Sequence, residues 1–163
     1  MATWIEPLRG ALAHADAFRG YALRPAVRAD EEFLYALHRE AMRDYVEATW
    51  GWNESWQRAH FATHYAPLRN AVIVRAGAQA ADVGRIGLTR HWRCYFLRDI
   101  ELAAEVRARG IGTAVVGAVI ALAAASERHV ELHVLACNPA RRLYARLGFR
   151  VVRDDGARLR MRT

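Results

Sequence analysis

The chain has 163 residues, 53% of them hydrophobic, with 24 basic against 17 acidic side chains and a formal net charge of +7. That length buries one sizeable core without disulfides or metal and needs no second domain. Cys94 and Cys137 are too few and too far apart for a disulfide framework or a metal motif, so no metal is expected. Every basic residue is Arg, none is Lys, and the arginines are dispersed among acidic residues rather than gathered in one stripe with interleaved aromatics, which argues against a nucleic-acid surface.

Residues 1–20 read as an N-terminal extension, either an added helix or a mobile arm, and residues 21–163 as one domain. Trp4-Ile5-Glu6-Pro7 interrupts any charged-then-apolar leader, and a cytoplasmic protein with no membrane contact is expected. Tyr21 to Arg24 alternates as a first strand and stops at Pro25. Asp30 is placed to cap a helix carrying Phe33, Leu34, Leu37, Ala41, Tyr45 and Val46 at helical spacing up to about Thr49. Gly51 breaks it, and Asn53 is placed to cap a second helix that ends before Pro67. Ala71–Val74, Asp82–Thr89 and Tyr95–Leu102 read as three strands.

A turn from Arg107 to Thr113 then opens the uncharged, Ala- and Val-rich run Ala114–Ser126, a helix expected to be buried over most of its surface. The N-terminus of such a helix offers unpartnered N–H groups and a partial positive charge, which suits phosphate. Gly110 and Gly112 allow close approach to the backbone, and Arg107 and Arg109 add charge. A mononucleotide P-loop fails because Thr113-Ala114 follows where Lys and Ser/Thr are needed, and a Rossmann fingerprint lacks its third small residue at Val115. His129–Leu135 alternates as a strand with unlike faces. Ala140–Leu147 is a short helix stopped by Gly148, and Phe149–Val152 and Ala157–Met161 close the sheet around Asp154-Asp155-Gly156.

Arg107-Ala108-Arg109-Gly110-Ile111-Gly112 together with Asn138-Pro139-Ala140-Arg141-Arg142-Leu143-Tyr144-Ala145-Arg146-Leu147-Gly148-Phe149 resembles the GCN5-related N-acetyltransferase (GNAT) family, in an uncharacterised bacterial subgroup. The resemblance spans roughly residues 21–163. It implies an α+β fold with a mixed, mostly antiparallel central sheet of six to seven strands flanked by about four helices, and acetyl-CoA as cofactor. By resemblance Arg107, Arg109, Gly110, Ile111, Gly112 and Thr113 hold the pyrophosphate, and Leu102 and Ala103 on the preceding strand pair with the pantetheine arm. Asn138 binds near that arm, and Tyr144 protonates the leaving thiolate. Arg141 and Arg142 are suited to the cofactor's phosphates.

Acetyl transfer by direct attack requires a neutral amine, a polarised thioester carbonyl and a stabilised thiolate. Asp99 and Glu101 share a strand face unless a bulge intervenes, and either serves as base or substrate ligand. Glu40, Glu47 and Glu54 are further candidates, whereas His38, His129 and His133 read as structural or exposed. Cys137, next to Asn138, reads as a buried spectator thiol, with a reactive thiol near the thioester as the alternative. Tyr45, Glu47, Trp50 and Trp52 lie in an aromatic and acidic segment bordering the acceptor pocket, able to hold an amine by cation–π contact or only to fasten two helices. The reading is an N-acetyltransferase acting on a primary amine of a small molecule or peptide, with a non-catalytic acyl-CoA-binding sensor of the same fold as the alternative. A homodimer is compatible with it.

Overall fold

The computed structural model describes residues 4–163. Seven strands form one sheet: β1 (Tyr21–Pro25), β2 (Asn70–Arg75), β3 (Ala81–Arg90), β4 (Cys94–Leu102), β5 (His129–Leu135), β6 (Arg150–Asp154) and β7 (Arg158–Arg162), in the order β1-β2-β3-β4-β5-β7-β6. Every pairing is antiparallel except β4 with β5. The helices are α1 (Ile5–Leu12), α2 (Glu31–Trp50), α3 (Glu54–His64), α4 (Ile111–Ala124) and α5 (Ala140–Arg146). This is the expected α+β architecture with one helix more than expected. The extra helix, α1, lies within the N-terminal extension and inserts Ile5, Leu8 and Leu12 into the main core.

Alternation along β2 divides the interior. Ile73 joins the large cluster with Ile86, Leu88, Leu97, Val115, Val119 and Leu132, while Val72 joins a smaller one with Leu34, Leu37 and Tyr65. The first cluster is closed by α1 and α4, the second by α2 and the end of α3. Burial of Ile111, Val115, Val116, Ala118, Val119 and Ala123 covers most of α4, as its uncharged run requires. Among the described residues no helix is long and apolar enough to cross a membrane.

Two starts differ from the sequence reading. Helix α4 begins at Ile111, so Gly112 sits inside its first turn, and Gly110 precedes it at φ 80°, a conformation that suits a residue without Cβ. Asp30 precedes α2, but its side chain caps no N–H of that helix. It accepts instead from Val27 N at 2.7 Å and from Arg24, whose guanidinium also binds Asp82 on β3. Long-range charge pairing won over local capping. Asn53 does cap α3, accepting from Trp56 N at 2.9 Å.

The Arg24 hydrogen bonds outweigh the cost of burial, and with Val27 N–H they hold the Asp30 pKa below its ordinary value. The resulting stabilisation is present in full above the unfolded carboxyl pKa, about 3.9, and is lost as pH falls through the lower folded value. Asp30→Asn is therefore expected to lower the unfolding free energy by about 1–3 kcal/mol at pH 7, and by progressively less towards pH 3, in urea titrations at a series of pH values.

Candidate active site

β4 and β5 run side by side only from Cys94–His129 to Leu97–Leu132. Arg98 is then an extra residue in the β3–β4 register, which passes from Leu88–Leu97 to Gly87–Asp99. This bulge turns the second half of β4 away from β5. A cleft of about 470 Å³ opens where the strands part, lined by Phe96, Ile100, Glu101, His133, Asn138 and Tyr144 among others. The bulge precedes Asp99, so Asp99 and Glu101 keep a common face, and both reach Arg85 on β3.

Arg85 is buried to 4% exposure, with Nε 2.7 Å from Glu101 Oε2 and a terminal nitrogen 3.0 Å from Asp99 Oδ1. On its other side Glu101 accepts from His38 Nδ1 at 2.7 Å. Burial alone would raise the Glu101 pKa, but the Arg85 charge and the His38 contact outweigh it and hold the carboxyl well below the usual range. A carboxylate so stabilised is a poor proton acceptor, which departs from the expectation of Glu101 as base. It is instead suited to fixing the His38 tautomer: with Nδ1–H donated to Glu101, Nε2 is left as the acceptor. His38, read as structural or exposed from sequence, lines the cleft. Asp99 lines it too, more exposed than Glu101 and with only one oxygen engaged.

Tyr144 enters from α5 and packs on Phe149 at 5.7 Å between ring centroids. Burial first, then the charges of Asp99 and Glu101, push its pKa up to about 12, so the hydroxyl keeps its proton at neutral pH. Asn138 also lines the cleft. Its Oδ1 accepts from Ala140 N at 2.9 Å, starting α5, and its Nδ2 lies 3.9 Å from Met42 Sδ.

The glycine turn lies beyond the end of β4. Left-handed Ala108 (φ 58°) and Gly110 curl the chain so that, among the described residues, the N–H groups of Ala108, Arg109 and Gly110 donate to no backbone carbonyl. With the first-turn N–H groups of Ile111, Gly112 and Thr113 they leave a run of backbone donors without a backbone acceptor at the start of α4. A Cβ on Gly112 would touch only Leu143, at 3.7 Å, which brings α5 beside this turn. Arg109, Arg141 and Arg142 are exposed and make no ion pair among the described residues. Arg107 is differently used: Nε donates to Leu102 O at 2.7 Å and a terminal nitrogen binds Glu40 at 3.0 Å, tying the turn to α2. Ala103 N donates to Val83 O, so this residue is paired with β3.

Glu40 also accepts from Ala104 N, and Glu54 accepts from Tyr35 Oη and Trp52 Nε1, so both serve as ties between elements. Glu47 accepts from Trp52 N across the α2–α3 connection. Of the expected acceptor wall, Trp50 lines the cleft beneath Arg158, whose guanidinium is 5.4 Å from the ring, and the Trp52 ring stands 6.4 Å from His38. The carbonyl of Tyr45 accepts from Thr49 and from the Cys137 thiol, which is exposed rather than buried because it stands in the turn between β5 and α5. Away from the cleft, Cys94, His129 and Glu131 bring ligand-type atoms within 4.8 Å of one another. Glu131 is already paired with Arg160 and His129, and a guanidinium at that carboxylate opposes a cation.

His38 and Arg85 are the site residues missed in sequence. Arg85 carried a usable signal, a charged side chain inside the apolar run Val83-Gly84-Arg85-Ile86. His38 carried none, because its partner is 63 residues away.

A model of the acetyltransferase (GNAT) family matches residues 32–149. Among solved structures, the PaiA N-acetyltransferase of Thermoplasma acidophilum in complex with coenzyme A is 18% identical, with a TM-score of 0.67 over 88% of this chain and 98% of that one. The ribosomal-protein-S18-alanine N-acetyltransferase of Escherichia coli is 18% identical, with a TM-score of 0.61 over 87% and 92%. Arabidopsis thaliana Naa50, in complex with the bisubstrate analogue CoA-Ac-MVNAL, is 14% identical, with a TM-score of 0.58 over 88% and 98%. At these identities the likeness is one of fold. No curated protein matches the chain.

Removing one partner of a buried ion pair strands the other. Glu101→Gln is expected to lower stability by about 3–5 kcal/mol in urea unfolding, and Asp99→Asn, at the more exposed end of the same cluster, by less than half as much.

Proposed function

Since the chain belongs to the acetyltransferase (GNAT) family, with acetyl-CoA as the acyl donor, we propose that it transfers the acetyl group directly to a primary amine of a small molecule or peptide. The observation that carries this reading is the parting of β4 and β5, with Tyr144 and the His38–Glu101 pair facing the same cleft.

In this mechanism the pyrophosphate rests on the N–H groups from Ala108 to Thr113, with Arg109, Arg141 and Arg142 around it. The pantetheine arm runs along the unpaired edge of β4 past Asn138. The amine nitrogen attacks the thioester carbon while a backbone N–H near Leu102 polarises the carbonyl. His38 Nε2 takes the proton that the nitrogen sheds, and Glu101, as a positioning residue, keeps the ring oriented and stabilises the imidazolium. As the carbon–sulfur bond breaks, the Tyr144 hydroxyl protonates the thiolate. The role requires the Tyr144 hydroxyl to hold its proton before transfer, which its raised pKa ensures at neutral pH.

Tyr144→Phe is expected to lower kcat by about 10- to 1000-fold with little change in acetyl-CoA affinity, read by thiol release over an amine panel and by calorimetric titration. His38→Gln should do the same. Binding of acetyl-CoA without thiol release from any amine would favour the sensor reading. Gly112→Val should abolish saturable acetyl-CoA binding yet keep the wild-type thermal midpoint, because the new side chain meets the anion's approach path and only Leu143 in the protein. ATP and NAD serve as controls.

A further inference from the structure

Alternation along β7 sorts its residues onto two faces. Leu159 and Met161 join the main core, while Arg158, Arg160 and Arg162 point the other way and are exposed. Antiparallel pairing sets Arg150 of β6 opposite Arg162 and Arg153 opposite Arg160, so these two share the same exposed face. Arginines that are dispersed along the sequence are thus gathered on one surface. Glu131 lies beneath them, 6% exposed, paired with Arg160 and, at 3.9 Å, with Arg162. Arg150 and Arg153 make no ion pair or side-chain hydrogen bond among the described residues, and Arg158 lies over the Trp50 ring. The aspartates of the adjoining turn, Asp154 and Asp155, accept from the backbone N–H groups of Gly156 and Arg158. Partial burial first, then the charges of Arg158 and Arg160, hold the His133 pKa below its ordinary value, which marks the field of this face as positive.

α2 and the end of α3 cover this side of the sheet over β2, whereas over β5, β7 and β6 His133 and the five arginines are exposed. The open face begins at the cleft, because His133 and Arg158 line both. It lies on the opposite side of the sheet from α4, at whose start the unpaired N–H groups and Arg109 stand, so the cofactor's phosphates do not account for it. A second copy of the chain would set arginine against arginine and is repelled. A single-stranded nucleic acid needs exposed rings on which its bases stack, and the side chains that alternate with these arginines, Leu159, Met161 and Val151, turn to the other face. An extended acidic chain needs only charge, and its side chains on one side recur at about 7 Å, the interval of the arginines along β7.

We propose that this open arginine face guides the acetyl acceptor, and that the acceptor is the amino terminus of an acidic peptide or protein segment. The amine lies in the cleft at His38, and the acidic residues that follow it leave past His133 along β7 and β6. The inference rests on the acetyl-transfer reading and names the substrate class of that site. From Arg158 to Arg162 the face runs about 13 Å, the reach of about four extended residues. The acidic residues therefore belong to a short stretch behind the amine. Each exposed pair contributes little alone, and because the contacts lie away from the reacting atoms their sum acts on KM rather than kcat.

Three peptides, amidated at the C terminus, isolate the charge: each begins with alanine and serine and continues with four glutamates, four glutamines or four arginines. Each is tested by thiol release from saturating acetyl-CoA and by calorimetric titration into CoA-loaded protein. The glutamate peptide is expected to exceed the glutamine peptide about tenfold in kcat/KM, mainly through KM, with the arginine peptide last, and the differences should shrink at high salt. Arg150→Glu combined with Arg153→Glu, two exposed side chains in no ion pair, should reverse the order, and recovery by the arginine peptide separates a lost contact from a lost fold. Equal use of the glutamate and glutamine peptides, a preference indifferent to salt, or a glutamate preference kept by the double variant would overturn the proposal while leaving acetyl transfer intact. So would single-stranded oligouridylate that binds more tightly than the glutamate peptide and displaces it. Salt-sensitive binding of the glutamate peptide, lost in the double variant, with no thiol release from any peptide would support the docking face and overturn the acetyl-transfer reading. Failure of all three peptides to bind or react would overturn the proposal.

Discussion

One guanidinium, that of Arg85, sits almost fully buried in the middle of β3, and the polar side chains of the cleft are arranged around it. A buried charge is tolerable only if it is paired and hydrogen-bonded, and here two carboxylates of the next strand answer it. The burial cost is not returned as net stability; such clusters are often no better than apolar replacements. What the arrangement secures is direction. Glu101 is held ionised and immobile, His38 is oriented by it, and Asp99 keeps one oxygen free beside the cleft.

The cluster works because the sheet changes character beside it. Antiparallel pairing from β1 to β4 makes a continuous platform, and the parallel β4–β5 pair lasts four residues before the Arg98 bulge ends it. On the far side of the gap, β5 leads into Asn138 and α5, which return Tyr144 to the opening. Acid and base candidates thus arrive from elements distant in sequence, α2 and α5, onto the margins of one defect in the sheet. The glycine turn belongs to the same construction, because it follows directly from the diverted end of β4.

Much of this was legible in the sequence where the determinant is local. Asn53 before an amphipathic run, Gly148 after a short helix, and the paired glycines at the start of an uncharged helix each specify their element through neighbours a few residues away. The glycine turn and the Asn138–Tyr144 spacing carried the family. The site chemistry was less legible because its determinants are pairings: residues 38, 85, 99 and 101 acquire meaning only once β3 and β4 are in register and α2 lies across them. Asp30 shows the same limit in the opposite direction. A good capping residue by type and position, it was claimed by Arg24, whose two carboxylate partners, Asp30 and Asp82, lie 6 and 58 residues away. Asp99 and Glu101 were placed on the correct face, but the division of labour between them depends on burial, which periodicity does not reveal.

The exclusive use of arginine has a consequence for an enzyme of this kind. The basic partner in each ion pair described above is a guanidinium or an imidazole, and within these 163 residues there is no ε-amino group at all. A thioester donor reacts with free amines whether or not it is bound at a productive site, and lysine side chains are the usual casualties. A guanidinium, delocalised and protonated at any physiological pH, offers no such nucleophile. The protein therefore presents its own acyl donor with a side-chain surface free of amines, and the basic charge of its side chains is not lost to acetylation however much acetyl-CoA surrounds it.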